Sequence, residues 1–143
     1  MKRNKITTLV TIMLLFATTA FVSSCNKSDD DNPDPTPTDN FSTKVTSPEE
    51  GKTFHSGATV KIEAEISDDK ELHGYAVRII NKSMNDTEVF KSEHRHMHAK
   101  SYTISETWVN NVTHHSDMQL QIIAYIDHEG TERVQTVDFH CHP

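Results

Sequence analysis

The second half of the chain alternates apolar and polar residues, which is the pattern of half-buried β-strands. In residues 60–66 every second side chain is apolar, and the side chains between are charged. The same period of two runs through Tyr75, Val77 and Ile79. Residues 118–126 have apolar side chains on both parities, as expected for a central strand that is covered on both faces. The pattern predicts strands at 42–47, 59–66, 72–81, 87–93, 99–108, 117–127 and 132–140.

Turn-forming residues separate the predicted strands. They lie at Pro48–Gly51, Ser56–Gly57, Asn85–Asp86 and Glu129–Gly130. No internal repeat and no amphipathic helical pattern interrupts the series. Short strands at this spacing predict an all-β fold, an immunoglobulin-like β-sandwich of about seven strands in residues 41–143. This segment has a single cysteine and therefore no internal disulfide, so burial must stabilise it.

The N-terminus has the pattern of a bacterial lipoprotein signal. Three basic residues within positions 2–5 precede an almost uncharged run over residues 6–22. The most apolar stretch of this run, Leu9–Ala17, is too short for a transmembrane helix and is interrupted by threonine. The run ends in Val22-Ser23-Ser24-Cys25, which resembles a lipobox, with small residues before the cysteine that receives the lipid. We predict that residues 1–24 are a signal peptide and that Cys25 anchors the mature protein to a membrane through lipid.

Residues 25–40 are predicted to be a disordered linker. They contain five aspartates and three interleaved prolines, a composition that cannot bury apolar surface and keeps a chain extended. An acidic run directly after the lipidated cysteine also resembles the surface-export signal of Bacteroidota lipoproteins. The expected location is therefore the outer membrane, on the cell surface. A simple spacer remains the alternative, and the sequence leaves open which face of the outer membrane carries the domain.

The charge of the chain argues against nucleic acid as a partner. The formal net charge is −7, with 14 basic and 21 acidic residues. Cleavage of the signal would remove three basic residues and no acidic ones, which makes the mature protein still more negative. Binding a polyanion requires clustered cations that this domain lacks.

Several segments of the folded part resemble a known family. The residues are Ser47-Pro48-Glu49-Glu50-Gly51-Lys52-Thr53-Phe54, Gly57-Ala58-Thr59-Val60, Ser67-Asp68-Asp69-Lys70-Glu71-Leu72 and Ile126-Asp127-His128-Glu129-Gly130. Together they resemble the histidine-rich, immunoglobulin-like lipoproteins of Bacteroidota, a domain of unknown function. The resemblance implies the sandwich fold, and it brings no catalytic residues.

Histidine is the outstanding chemical feature of the domain. All ten histidines lie in residues 41–143: His55, His73, His94, His96, His98, His114, His115, His128, His140 and His142. In an extended chain alternate residues point the same way about 7 Å apart, so two imidazoles of the run 94–98 could converge on one ion. A third imidazole from a neighbouring loop would complete a site for zinc, copper or nickel.

Alternating strand directions sort the histidines into two groups at opposite ends of the sandwich. The connections at 67–73, 94–98 and 128–131 then share one end. That end gathers five histidines and three carboxylates: His73, His94, His96, His98 and His128, with Asp68, Asp69 and Asp127. The opposite end gathers His55, His114, His115, His140 and His142. We predict that the first five histidines bind zinc or copper, and we leave open whether His114, His115, His140 and His142 form a second site.

One position conflicts with a straight strand. His98 has the same parity as Tyr102 and Ile104, which are expected to point inward, so a turn or bulge near Ala99–Ser101 is required. If residues 87–93 were not a strand, the segment 94–98 would move to the other end.

Less specific interpretations remain beside the metal site. Single histidines such as His55 and His73 are commonly solvated or hydrogen-bonded at the surface. Met97 and Met118 are expected to pack, and Cys141 is expected to be a buried apolar residue. The acidic loops could bind calcium, which is the weaker alternative to zinc or copper. A surface module that binds protein or glycan is the alternative function. We predict no enzyme, because no catalytic triad, carboxylate pair or phosphate-binding loop is recognisable.

Overall fold

The computed structural model describes residues 40–143. The predictions for the signal peptide, for Cys25 and for the acidic linker as far as residue 39 lie outside the described residues. Six strands and one short 3-10 helix form the domain: β1 Ser42–Ser47, β2 Thr53–Phe54, β3 Thr59–Asn81, the 3-10 helix Lys82–Met84, β4 Thr87–Val109, β5 Ser116–Tyr125 and β6 Glu132–Cys141. Within this range no helix is long and apolar enough to cross a membrane.

The strands form a two-layered sandwich because β3 and β4 are long and contribute to both layers. Residues 59–67 of β3 pair with β1 and with residues 101–109 of β4. Residues 74–81 of β3 pair with the first part of β4 and with β5. β6 continues this second sheet beside β5, and β2 adds a short parallel edge. The predicted all-β, immunoglobulin-like sandwich is confirmed.

Four of the predicted strands are halves of two longer ones. The expected breaks between residues 66 and 72 and between residues 93 and 99 are irregular stretches inside β3 and β4. The prediction of separate strands was wrong there, because polar turn-like residues such as Asp68 and Asp69 lie in a strand that shifts register without leaving the sheet. The two-residue strand β2 was also not predicted.

The core follows the predicted alternation. Val60, Ile62 and Ile66 are fully buried, and Trp108 and Met118 lie in the same apolar cluster. Buried residues of β5 and β6 complete this cluster from the other sheet: Leu120, Ile122, Ala124, Val137, Phe139 and Cys141. One continuous apolar core therefore joins the layers and provides the stabilisation that a domain without a disulfide needs.

The only cysteine of the domain belongs to this core. Cys141 is 0% exposed, and burial raises the pKa of its thiol to about 11. The thiol therefore stays protonated at neutral pH, which confirms the expected buried apolar role and makes Cys141 a poor metal ligand.

Two register shifts between β3 and β4 shape the histidine-rich end of the sandwich. Residues 68–71 of β3 lie opposite Lys100 alone, and His73 lies opposite residues 96–98 of β4. The first shift confirms the irregularity predicted near residues 99–101. The second lies beside Gly74, whose φ of 129° is outside the range of L-residues, and a Cβ at this position would collide with the backbone of His94.

Gly74 is expected to be required for this irregular pairing. Gly74→Ala should lower the free energy of unfolding by about 3 kcal/mol, because strain at positive φ adds to a backbone collision. Gly130→Ala is the matched control, since Gly130 also has a positive φ of 83° but open space around the new Cβ. It should cost about 1–2 kcal/mol. Urea denaturation measures the free energy of unfolding of both variants. An equal decrease in the two variants would contradict the predicted collision at Gly74.

Candidate metal centre

Three imidazole rings meet at the end of the sandwich that contains the β5–β6 loop. The centroid of the His73 ring lies 4.0 Å from that of His128 and 4.7 Å from that of His98. The His98 and His128 centroids are 5.7 Å apart. We call His73, His98 and His128 the first histidine cluster. Its members come from β3, β4 and the β5–β6 loop, so the fold assembles the cluster from distant parts of the chain.

Each member is positioned by an irregular piece of backbone. His73 and His98 lie in the bulged pairing beside Gly74. His128 lies in a turn in which the amide of Gly130 donates to the carbonyl of Asp127 and the amide of Thr131 donates to the Asp127 carboxylate, at 2.8 Å for the latter. Hydrogen bonds from Thr131 hold the pKa of the Asp127 carboxyl below its usual value. The turn therefore fixes His128 and keeps a negative charge beside the cluster.

The cluster lines a cleft of about 130 Å³. The other lining residues are Arg95, His96, Tyr125, Asp127 and Gly130. The Arg95 guanidinium donates to the Tyr125 hydroxyl at 2.8 Å and lies over the Tyr125 ring, with 4.4 Å to the centroid. It also lies 3.6 Å from the Glu93 carboxylate. Arg95 is thus engaged along the wall of the cleft, where the Glu93 carboxylate offsets its charge.

Two of the five predicted ligands lie outside the cluster. His94 stacks on Tyr75, with ring centroids 4.8 Å apart, and its Nε2 lies 3.2 Å from the Glu106 carboxylate. His96 lines the cleft, but its φ of 68° takes it away from the regular alternation of β4. The structure therefore brings together His73, His98 and His128, places His96 beside them, and separates His94 from the group.

Met97 differs from expectation, whereas the aspartates of the acidic loop have hydrogen-bond partners of their own. Met97 is 49% exposed, whereas Met118 is buried as expected. Asp68 accepts a hydrogen bond from the Lys70 amide and Asp69 accepts one from Asn40. Neither aspartate lines the cleft, so the loop carboxylates do not converge in the way that a calcium site requires.

A second group of rings meets at the opposite end. The His142 centroid lies 4.3 Å from that of His115 and 5.5 Å from that of His55. Burial, and the nearby imidazoles of His115, His55 and His140, lower the pKa of His142. We call His55, His115 and His142 the second histidine cluster. The ten residues of β5 separate the two ends, which corresponds to about 30 Å.

The remaining histidines of that end have other partners. His140 Nδ1 lies 2.8 Å from the Asp117 carboxylate, and His114 Nδ1 lies 2.9 Å from the Thr113 hydroxyl. These histidines lie at the end of the sandwich where strand direction predicts them. Adjacency in the sequence, however, did not predict which of their rings are in contact. Buried Asn110, which holds this end together, carried no recognisable signal in the sequence.

Neither cluster has its nitrogen atoms already aimed at one point. Among residues 40–143, no group of three His, Cys, Asp or Glu side chains is arranged as a metal-binding site. Three imidazoles on one zinc would place their ring centroids about 5 Å apart, because the Zn–N distance is about 2.0–2.1 Å and the geometry is tetrahedral. The measured centroid separations of 4.0–5.7 Å bracket this value, so the rings are close enough but would have to turn.

The chain matches the model of a known domain family. The family described as Domain of unknown function (DUF4625) matches residues 23–123. No match was found among curated proteins.

Solved structures with some likeness to the chain are β modules. The Clostridium thermocellum CbhA fibronectin(III)-like modules are 14% identical, with a TM-score of 0.46, over 71% of this chain and 96% of theirs. A solution structure of a CARDB domain from Pyrococcus furiosus is 12% identical, with a TM-score of 0.46, over 73% and 95%. A crystal structure of that CARDB domain in complex with di-metal ions is 11% identical, with a TM-score of 0.44, over 72% and 88%. These likenesses carry no argument about a ligand of this chain.

Proposed function

The chain belongs to the DUF4625 family, and we propose that it is a lipid-anchored protein whose immunoglobulin-like domain binds or buffers a transition metal ion, zinc or copper. The ligands are His73, His98 and His128. The observation that carries the proposal is the mutual contact of these three rings, which lie on three separate segments of the chain.

The chemistry of the rings supports a cation as the ligand. A neutral imidazole ring has a nitrogen lone pair that can bind a metal cation. Imidazole is a ligand of intermediate softness that suits zinc and copper better than calcium. Turning the three rings brings their nitrogens together and leaves one tetrahedral position for water or for His96.

The surroundings of the first histidine cluster tolerate a divalent cation. Asp127 contributes a negative charge near His73, and hydrogen bonds from Thr131 hold the pKa of its carboxyl below the usual value. Arg95 opposes a cation, but it is hydrogen-bonded to Tyr125 and lies near Glu93. Exposed Met97 follows His96 and precedes His98, and a thioether beside imidazoles would favour copper(I). The comparison of zinc with copper is therefore part of the test.

The proposal is tested by calorimetric titration of the untagged protein with zinc and with copper. We expect binding tighter than roughly 10 μM, which corresponds to about −7 kcal/mol. Binding weaker than this for both metals in the parent protein would remove the metal function and leave a surface interaction module. A surface that binds protein or glycan commonly uses exposed aromatic side chains, and no Phe, Tyr or Trp side chain in residues 40–143 is exposed.

The proposed location is the outer membrane, on the cell surface. Its support is the lipobox-like Val22-Ser23-Ser24-Cys25 and the acidic run that follows, which resembles the surface-export signal of Bacteroidota lipoproteins. The lipid would be the membrane partner, and the domain would extend from it on the linker.

Cys25→Ala is expected to leave the protein unlipidated, because the thiol that receives the lipid is gone. The variant should keep its signal peptide, migrate more slowly on a gel and move to the aqueous phase of a detergent partition. Cys141→Ala is the control, since Cys141 is buried in the core, and it should keep the lipid. Unchanged partitioning of the Cys25 variant would contradict lipid anchoring.

A further inference from the structure

The second histidine cluster rests on backbone that a buried asparagine holds in place. Asn110 is 1% exposed, and its side-chain amide donates to the carbonyls of Phe54 and His142, at 3.2 and 3.1 Å. The amide of His142 in turn donates to the Phe54 carbonyl at 2.9 Å. The backbones that present His55 and His142 are therefore tied to each other and to the residue that follows β4.

His115 is fixed from the other side of the cluster. The next residue, Ser116, is buried and pairs with Cys141 across β5 and β6. The Ser116 hydroxyl accepts a hydrogen bond from the Asn81 side chain and donates to the carbonyl of His114. All three histidines thus extend from hydrogen-bonded backbone, so bringing them onto one ligand requires ring rotation and little ordering of the chain.

The other potential ligands near the second histidine cluster are engaged elsewhere, so His55, His115 and His142 are the rings available to a metal ion. His140 lies against the Asp117 carboxylate and His114 against the Thr113 hydroxyl. Cys141 points into the core, on the opposite face of β6 from His140. His55 and His115 are exposed and His142 is half-buried, so a solvated ion can reach all three.

We propose that His55, His115 and His142 form a second transition-metal site, which takes a divalent cation of the zinc class and is independent of the first histidine cluster. Centroid separations of 4.3 and 5.5 Å around His142 fit the spacing of about 5 Å for imidazoles on one zinc. The bound ion joins the segment after β2, the β4–β5 loop and the C-terminal end. Zinc binding there also stabilises the fold, because the ligands are assembled only in the native state.

The test counts zinc ions in the full mature chain, untagged and held in detergent, by calorimetric titration with zinc chloride at pH 7.5. The parent binds two ions. His142→Ala and His115→Ala each bind one, with zinc affinity at the second site reduced at least about 100-fold. His114→Ala and His140→Ala are the matched controls, because each replaces a histidine next to the cluster that has another partner, and both still bind two ions.

Thermal unfolding without zinc checks that the variants fold. We expect them to fold, because the replaced histidines are exposed or half-buried. With zinc, the midpoint of the parent rises and that of His142→Ala rises less. A His142→Ala protein that binds two ions, or controls that lose an ion as it does, would overturn the second site. If the parent binds one ion that His73→Ala removes and His142→Ala keeps, the second site is wrong and the first stands. If His142→Ala removes the single ion and His73→Ala keeps it, the second site stands and the first fails.

Discussion

Replacing His73, His98 and His128 together by alanine is expected to remove zinc binding at the first histidine cluster. The three side chains supply all the proposed protein ligands. Of the residues that still line the cleft, only His96 and Asp127 have side chains that could bind zinc. The affinity for zinc at this site should fall at least about 100-fold, which corresponds to about 2.7 kcal/mol or more. Calorimetric titration in a His142→Ala background measures the first site without the second one.

His94→Ala is the matched control for this experiment. His94 belongs to the same alternating run as His98, but its ring stacks on Tyr75 and faces Glu106. Zinc affinity should therefore remain as in the parent, whereas His98→Ala should weaken it. If His94→Ala and His98→Ala weakened zinc binding equally, the ligands would be the alternating histidines predicted from sequence spacing, and the three-segment cluster would be wrong.

The fold was predictable because burial imposes a regular signal on the sequence. Val60, Ile62 and Ile66 alternate with charged residues, and all three are fully buried in the structure. Strand continuity was harder to predict. The stretch 67–71 has the composition of a turn, yet it continues β3 while the register with β4 shifts. Local composition cannot tell a loop from an irregular strand, since both leave polar side chains exposed.

The candidate site was predictable as a region but not as a set of ligands. Alternating strand directions placed His73, His98 and His128 at one end of the sandwich, and the structure has them in contact. The alternation of side chains along a straight strand also predicted His94 as a ligand. The left-handed backbone of His96 and the close approach of Gly74 to β4 break that alternation.

The second end shows the same limitation of sequence spacing. His114 and His115 are adjacent in the bend before β5, but His115 contacts the ring of His142, whereas His114 lies against the Thr113 hydroxyl. His55 stands alone in the sequence and was given no special role. Its contact with His142 depends on the parallel pairing of β2 with β6, a long-range pairing that no local pattern predicts.

Metal affinity is expected to fall steeply between pH 7 and pH 5. Imidazole binds a metal only when it is neutral, and an ordinary imidazole has a pKa of about 6.5, so protons compete with zinc at each ligand. Because protons compete at every imidazole ligand, a site with three of them should lose zinc affinity more than about tenfold between pH 7 and pH 5. The direction follows from the charge, because acid converts neutral ligands into cations that repel the metal.

Zinc titrations at pH 7, 6 and 5 measure this effect. Calcium titrations at the same pH values show how a site with carboxylate ligands would respond. Carboxylate ligands lose their charge only near pH 4, so a site built from acidic loops would keep its affinity throughout this range. Asp127 illustrates the contrast, because its hydrogen bonds with Thr131 lower the pKa of its carboxyl and it stays charged at pH 5. A zinc affinity that changed less than about tenfold between pH 7 and pH 5 would exclude three imidazoles as the ligands. Carboxylates would then be the better candidates for the zinc ligands.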